Sequence, residues 1–184
     1  VYLKQVGLIV FMAHIGCFVP ADEARIPLLD EIITIFHGQD YVYEPFSSSF
    51  TAELNQMAHA VNCSTPNTLC LFDEFGKTTD ADDGGSLLCA LIDHFNMETR
   101  PFVIFSTHFY HLLNENYLNP NAYVHWTMTI NFEENHGIVF LYKLGKATNE
   151  VKSLGKICAS RSGIPEEVIR RAQGICDSWD SGLQ

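Results

Sequence analysis

The stretch Leu69-Cys70-Leu71-Phe72-Asp73-Glu74 decides the fold of this chain. Its first four residues form an unbroken apolar run, which is typical of a short strand buried on both faces. Strands of that kind belong to parallel sheets, because helices cover both faces of such sheets. The run ends in two carboxylates, and the carboxyl edge of a parallel sheet is where ligands bind. We therefore expect Asp73 and Glu74 at the functional edge of a parallel sheet.

A strand–helix–strand unit continues from this run. The polar composition of residues 75–83 predicts a loop. Residues 84–95 carry apolar side chains at helical spacing, which predicts a helix. Residues 101–105 predict a second buried strand, which ends in Ser106-Thr107-His108. Strand, helix and strand within about 37 residues form a βαβ unit and hence a parallel sheet. The predicted fold class is α/β.

The rest of the chain predicts further helices and a second kind of strand pairing. Apolar residues at helical spacing indicate helices, a β-branched run indicates a strand, and two apolar runs around a polar turn indicate an antiparallel hairpin at a sheet edge. The expected elements are helices over 2–16 and 50–61, a strand over 32–36, a loop over 38–48, hairpin strands over 124–132 and 138–142, and two closing helices, the last starting at Pro165.

Composition limits the class of protein. The chain has 184 residues, of which 47% are hydrophobic, and this excludes a disordered or collagen-like chain. Its net charge of −11 argues against a surface that holds nucleic acid mainly through phosphates, since such surfaces need clustered Lys and Arg. The six cysteines include no C-x-x-C pair, so we expect reduced thiols rather than a zinc site.

The apolar run at residues 7–13 has two interpretations. Because it follows Lys4, it resembles the centre of a signal peptide, although it is too short to span a bilayer. The chain begins with Val1, no small-residue cleavage site follows cleanly, and His14 interrupts the run. We favour a helix that is apolar nearly all round and buried in the core.

Asp73 and Glu74 suit the chemistry of nucleotide hydrolysis. In the Walker B pattern, the first carboxylate holds Mg²⁺ and the second orients or deprotonates the attacking water. Any buried strand that ends in an acidic turn also gives this pattern, so a purely structural role stays open. Gly76-Lys77-Thr78 resembles the end of a phosphate loop, but Leu71 stands where that loop needs glycine. We expect no phosphate loop there.

Two other polar groups have both a structural and a functional interpretation. His108 follows the neighbouring strand, where it either contacts a phosphate at the same edge or makes a local bond. Ser47-Ser48-Ser49 precede a helix, where serine hydroxyls either cap the free N–H groups or help them to bind an anion. The residues alone favour the cap for the serines and leave His108 open.

Together these elements resemble the C-terminal ATPase domain of the MutS mismatch-repair family, an ABC-type P-loop ATPase. The resemblance rests on Ser48-Ser49-Phe50-x-x-Glu53, Asp73-Glu74-Phe75-Gly76-Lys77 and Ser106-Thr107-His108. It covers nearly the whole chain, since residues 1–21 and 164–172 also resemble family segments. With Leu54-Asn55-Gln56, the acidic segment is most similar to the meiotic, crossover-promoting subfamily of fifth eukaryotic MutS homologues.

The resemblance implies ATP and Mg²⁺ as cofactors. Asp73 would serve Mg²⁺, and Glu74 would be the catalytic carboxylate on the attacking water. His108 would contact the γ-phosphate of ATP. Such catalysis consists of positioning and of charge stabilisation at the transferring phosphoryl group.

The resemblance also implies an active site shared between two subunits. Ser48 would be the signature serine that reaches the partner's nucleotide, and Ser49 would belong to the same nucleotide-binding group. Asp83 and Gly84 would lie in the loop across the dimer interface. The partner would be a second MutS homologue, namely the fourth eukaryotic one.

The resemblance divides the chain into two parts. Residues 1–146 would be an ATPase core that lacks its phosphate loop, because the family has that loop directly before the position of Val1. Residues 147–184 would be a C-terminal helical dimerisation segment. The chain would then be N-terminally truncated, and we expect the 184 residues by themselves to be inactive.

The function that follows is an ATPase that couples ATP binding and hydrolysis to clamping on DNA during meiotic crossover formation in the nucleus. DNA would contact parts outside these residues, and no membrane partner is expected. One alternative is a mismatch-repair MutS homologue. Another is a subunit that dimerises without hydrolysing ATP, because Thr78 and Pro45-Phe46 depart from the family's pattern.

Overall fold

The computed structural model describes residues 1–36, 49–109, 117–119, 121, 123–133, 137–146 and 154–182. The chain divides into two compact units, Val1–His125 and Trp126–Gln184. The first contains helix α1 (Tyr2–His14), strand β1 (Glu31–Ile35), helix α2 (Ser49–Cys63), strand β2 (Thr68–Asp73), helix α3 (Ala81–Met97) and strand β3 (Phe102–Ser106). The second contains strands β4 (Trp126–Glu133) and β5 (Gly137–Lys146), and helices α4 (Gly155–Arg161) and α5 (Glu166–Gly182). The predicted loop over 38–48 lies outside the described residues.

Three strands of the first unit form a parallel sheet with β2 in the centre. Leu69 pairs with Ile32 on one side and Phe102 on the other, and this register continues to the pairing of Asp73 with Ser106. Every β2 residue before Asp73 is buried. The expected α/β fold with a parallel sheet is therefore confirmed.

Alternate residues of β2 pack into two different clusters, one on each face of the sheet. Cys70 and Phe72 join the larger cluster with residues of α2 and α3. The Phe72 ring centroid lies 5.9 Å from that of Phe95 and 5.0 Å from that of Phe105. Leu69 and Leu71 join the other cluster with Val10 of α1 and neighbouring residues. The period-2 alternation of strand side chains thus places a helical layer on each face.

Helix α1 packs through one face only, so the prediction of a buried core helix is wrong. Leu3 and Val10 are its buried residues, whereas Leu8 and Phe11 are more than half exposed. The packed face comes very close to the sheet, because a Cβ on Gly7 would lie 2.9 Å from Leu71 Cδ1. Within the described residues, no helix combines the length and apolar character that a membrane crossing requires.

The second unit begins with an antiparallel hairpin, as predicted. β4 pairs with β5 with a register shift between Met128 and Ile130, and β5 continues to Lys146 instead of ending at residue 142. Arg161 at the end of α4 donates a 2.6 Å hydrogen bond from Nη1 to the carbonyl oxygen of Ile138. The position of the hairpin at the edge of the parallel sheet stays a prediction.

The compact units divide after His125, whereas the functional division proposed from sequence lies between residues 146 and 147. By its contacts, the hairpin therefore belongs to the same compact unit as the C-terminal helices. Its assignment to an ATPase core is a statement about function and stays a prediction.

All six cysteines of the chain are free thiols, as expected.

Candidate functional site

Ser106 links the two strands that carry the acidic edge. It pairs with Asp73 in the sheet register, and its hydroxyl donates a 2.6 Å hydrogen bond to Asp73 Oδ1. The same hydroxyl accepts a 3.1 Å bond from the backbone N–H of Glu74. One side chain of β3 thus orients the first carboxylate and holds the backbone of the second.

Glu74 makes the sharp turn at the end of β2. Its φ of 52° lies in the left-handed region, which costs a non-glycine residue of the order of 1–3 kcal/mol. Its backbone N–H also points at the carbonyl oxygen of Ser106, at 3.0 Å. The Glu74 side chain at this turn is 35% exposed.

Lys77 pairs with the Glu74 carboxylate. Its Nζ lies 2.6 Å from Glu74 Oε2, and both side chains are partly accessible to solvent. The hydrogen bond and the charge of Glu74 raise the pKa of the Lys77 ammonium above its ordinary value of 10.5. Lys77 is therefore a cation throughout the neutral pH range and stands beside the carboxylate that would act on water.

Glu53 of α2 holds the turn that follows Glu74. Its carboxylate is almost completely buried, with 2% of the residue exposed. Oε1 accepts a 3.0 Å bond from the Thr78 hydroxyl, and Oε2 accepts a longer bond of 3.4 Å from the N–H of Gly76. The segment Gly76-Lys77-Thr78 is therefore a turn whose groups bond to α2.

The turn also lies directly against the start of α3. Gly76 has a φ of 82°, and a Cβ on it would lie 2.8 Å from Gly84 Cα. A Cβ on Gly84 would lie 2.6 Å from the carbonyl oxygen of Gly76. Neither position has room for a side chain, so the two glycines allow the backbones of turn and helix to touch.

The structure places Asp83 and Gly84 in the first turn of α3, so the prediction that they lie in a loop is wrong in local structure. The helix begins at Ala81 because the Asp80 side chain caps it and accepts a 3.0 Å bond from the N–H of Asp82. Asp83 is exposed, and Gly84 is buried. Their role at a subunit interface stays a prediction.

The other predicted site residues are placed less completely. His108 is exposed two residues after the end of β3, and its ring centroid lies 4.3 Å from that of the buried Phe109. Ser49 is the first residue of α2. Ser48 lies outside the described residues, as do Pro45 and Phe46.

A parallel sheet with two carboxylates at its carboxyl edge is compatible with many families. A profile of MutS domain V matches residues 1–180, which is nearly the whole chain. The chain belongs to the MutS family. The match covers the parallel sheet, the acidic turn and the hairpin with its helices.

Relatives within the MutS family agree with this assignment. "MutS protein homolog 5" of Saccharomyces cerevisiae is 37% identical over 95% of this chain. "DNA mismatch repair protein MutS" of Lysinibacillus sphaericus is 35% identical over 98% of the chain, and that of Methanothrix thermoacetophila is 37% identical over 96%. The expected similarity to the fifth eukaryotic MutS homologue is confirmed.

The chain spans about a fifth of the length of these MutS relatives. The matched parts are 21% of the yeast protein, 21% of the Lysinibacillus protein and 20% of the Methanothrix protein. Each comparison is therefore one of a single domain with part of a much longer protein.

The donor set at the acidic edge of this MutS domain fits Mg²⁺. Mg²⁺ takes one or two carboxylates and completes its shell with water and phosphate oxygens. Asp73 supplies a carboxylate whose orientation Ser106 fixes through the 2.6 Å bond. Among the described residues, no group of three or more His, Cys, Asp or Glu side chains forms a metal site by itself.

Two residues of this MutS domain were missed as site residues. Ser106 stood in the quoted Ser-Thr-His motif, and the expected parallel register would have placed it beside Asp73. Glu53 stood at the end of the Ser-Ser-Phe-x-x-Glu motif, four residues before Met57, where a charged residue on the apolar face of the predicted helix was a signal. Its contact with the turn depends on tertiary packing, which periodicity does not show.

Proposed function

We propose that this chain is the ATPase domain of a longer MutS-family protein that acts in meiotic recombination. The protein couples ATP binding and hydrolysis to clamping on DNA. The observation that carries the proposal is the acidic edge, where Ser106 bonds to Asp73 at 2.6 Å and to the N–H of Glu74 at 3.1 Å. An ABC-type P-loop fold is part of the proposal, supported by the parallel sheet and the family match.

In this proposal the acidic pair divides the chemistry of hydrolysis. Asp73 holds Mg²⁺, which supplies charge stabilisation to the phosphate oxygens when it is bound. Glu74 accepts a hydrogen bond from the attacking water and orients it toward the γ-phosphate. His108, two residues beyond the Ser106 pairing, contacts the γ-phosphate. Lys77 bonds to Oε2 of Glu74, so it lies next to the carboxylate that receives the water.

The site is completed by a second subunit in this proposal. Ser49 at the start of α2 and Ser48, which precedes it in the sequence, reach the partner's nucleotide, and Asp83 and Gly84 lie near the subunit interface. The partner is another MutS homologue, for which the fourth eukaryotic homologue is our choice. The protein works in the nucleus, and its DNA contacts lie outside this chain.

The experiment that tests the proposal is ATP turnover by the complete protein with its partner. We expect Asp73→Asn to lower turnover by about 10-fold to 100-fold and to raise the Mg²⁺ concentration needed for half-maximal rate. The matched control is Glu98→Gln, which neutralises an exposed carboxylate at the end of α3. An Asp73→Asn protein with the turnover and Mg²⁺ dependence of the wild type would contradict the proposal.

One alternative is a mismatch-repair function, because the bacterial and archaeal mismatch-repair relatives are as similar as the yeast homologue. Measuring the affinity of the complete protein for a mismatched duplex and for a four-way DNA junction distinguishes the meiotic function from mismatch repair. Preference for the junction supports the meiotic function, and preference for the mismatch supports repair.

A second alternative is a subunit that dimerises without hydrolysing ATP. The 2.6 Å bond between Lys77 and Glu74 favours it, since Lys77 occupies one of the two oxygens of the carboxylate that would act on water. Lys77→Met separates the two functions. Faster turnover than in the wild type indicates an ATPase restrained by Lys77, whereas no turnover in either protein indicates the dimerising subunit.

A further inference from the structure

Glu53 is a buried carboxylate for which the proposed chemistry has no use. It lies on α2, one turn after the helix begins at Ser49, and only 2% of it is exposed. A buried carboxylate is costly unless it is hydrogen-bonded. Its bonds therefore indicate which part of the structure this residue stabilises.

Both oxygens of Glu53 bond to the turn that follows Glu74. The Thr78 hydroxyl donates to Oε1 at 3.0 Å, and the N–H of Gly76 donates to Oε2 at 3.4 Å. These two partners flank Lys77, which bonds to Glu74. The backbone of Lys77 also donates to the carbonyl oxygen of Glu74 at 3.2 Å. A displacement of the turn would therefore be passed to both the backbone and the carboxylate of Glu74.

The turn has two more fixed neighbours. Gly84 of α3 touches Gly76 so closely that no Cβ fits between them, and Ser106 of β3 holds the N–H of Glu74. Glu53 of α2 is the third neighbour, and it bonds to Gly76 and Thr78 of the turn. Elements α2, α3 and β3 thus converge on one short turn, and Glu53 is the charged member of that arrangement.

We propose that Glu53 is a positioning residue that ties the turn carrying Glu74 to helix α2. The inference rests on the proposed function, in which Glu74 acts on water and the start of α2 meets a nucleotide. The bonds of Glu53 go to Gly76 and Thr78 of the turn. It acts by keeping the Glu74 turn at a fixed position relative to the start of α2. When the start of α2 contacts a nucleotide, the Glu74 carboxylate is then correctly placed.

Four variants separate the contributions of the bonds. Glu53→Ala removes both acceptors, whereas Glu53→Gln keeps an oxygen for the Gly76 N–H and offers its NH₂ group to the Thr78 hydroxyl as acceptor. Thr78→Val removes that hydroxyl at nearly constant volume, and Thr78→Ser retains it. Because Thr78 is exposed, its variants keep the protein folded even where Glu53→Ala does not.

The first experiment measures ATP turnover of the complete protein with its partner. We expect Glu53→Ala to lower kcat by about 10-fold or more, because hydrogen bonds to a charged group are lost, with KM for ATP changed less than about twofold. Thr78→Val should lower kcat by about threefold, and Glu53→Gln and Thr78→Ser should restore it to near the wild-type value. An unchanged kcat in Glu53→Ala and Thr78→Val, or a rise in KM that accounts for the whole loss, would overturn the inference.

The second experiment does not require ATPase activity. Amide hydrogen exchange of the complete protein reports the turn directly, and we expect the Gly76 N–H to exchange about 10-fold faster in Glu53→Ala and faster in Thr78→Val than in Thr78→Ser. Equal exchange in all variants would overturn the inference even if the protein hydrolyses ATP. Absence of turnover in the wild type, combined with the expected exchange pattern, would instead refute the proposed function and leave the tie between Glu53 and the turn in place.

Discussion

Ser106 shows how much one hydroxyl does at the acidic edge. It donates its one proton to the Asp73 carboxylate, and it uses one of its two acceptor lone pairs for the backbone N–H of Glu74. The pairing exists because parallel strands end at the same edge of the sheet. The sequence already predicted the edge and its two carboxylates, but it did not predict which side chain of the neighbouring strand would orient them.

Replacing Ser106 by alanine tests this arrangement. The N–H of Glu74 keeps the carbonyl oxygen of Ser106, so we expect Ser106→Ala to lower the free energy of unfolding by only about 1 kcal/mol. The freed Asp73 should raise the Mg²⁺ concentration for half-maximal ATP turnover by about threefold. Denaturant unfolding and a Mg²⁺ titration measure the two effects. Ser106→Thr keeps the hydroxyl and is the control, and equal Mg²⁺ dependence in all three proteins would contradict the assigned role.

Cys70 gives a prediction about pH. Burial, with a smaller contribution from the charge of Glu31, raises the pKa of the Cys70 thiol from 9.0 to about 12. Below pH 9 the thiol is protonated in both the folded and the unfolded chain, and its contribution to stability is complete. Between about pH 9 and pH 12 only the unfolded chain loses the proton, so stability falls by up to about 1.4 kcal/mol per pH unit.

Denaturant unfolding at about pH 8 and about pH 10.5 measures this fall. We expect the decrease to be smaller in Cys70→Ala by about 1–2 kcal/mol, because the titrating thiol is gone. Cys63→Ala removes an exposed thiol and should keep the wild-type decrease. The same decrease in Cys70→Ala as in the wild type would show that Cys70 does not titrate in this way.

At the scale of elements, the order and type of helices and strands follow from the sequence, whereas two boundaries do not. Helix α3 begins at Ala81 rather than at 84, since the Asp80 cap and the acidic first turn extend it backward. The family resemblance placed Gly84 in a loop, but Gly84 lies in α3 and is buried, and its backbone packs on Gly76. Close backbone approach depends on tertiary structure, and a local pattern gives no sign of it.

Gly84 therefore offers a test at the helix scale. Alanine is the better helix former by about 1 kcal/mol, but at Gly84 its Cβ would lie 2.6 Å from the carbonyl oxygen of Gly76. We expect Gly84→Ala to lower the free energy of unfolding by about 1–3 kcal/mol. Gly174→Ala in α5 is the matched control, because a Cβ there meets nothing within 4 Å, and it should raise stability slightly. Denaturant unfolding checks both, and a stabilised Gly84→Ala would refute the close contact.

Helix α1 shows why burial is harder to predict than helix formation. Its composition indicated a core helix, but in the first unit only one face meets the sheet, and Leu8 and Phe11 stay largely exposed. Glu53 is the opposite case, a carboxylate buried because a turn distant in sequence supplies its partners. Periodicity identifies the faces of an element, and only the packing shows which faces are covered.

At the scale of the whole molecule, the chain consists of a parallel α/β unit and a second unit of a hairpin and two helices. Both units fall within the single match to MutS domain V. The acidic edge lies entirely in the first unit, on the ends of β2 and β3 and the turn after Glu74. The carboxylates that we propose for hydrolysis therefore lie within Val1–His125, and we expect changes in α5, such as Gly174→Ala, to leave ATP turnover by the complete protein unaffected.

The central claim is that Glu74 is the carboxylate that acts on water. Its most direct test is to measure ATP binding and ATP turnover in one preparation of the complete protein, for the wild type and for Glu74→Gln. We predict that Glu74→Gln binds ATP in the presence of Mg²⁺ within about threefold of the wild-type affinity, while turnover falls by about 100-fold or more. Unchanged turnover in Glu74→Gln would contradict the claim.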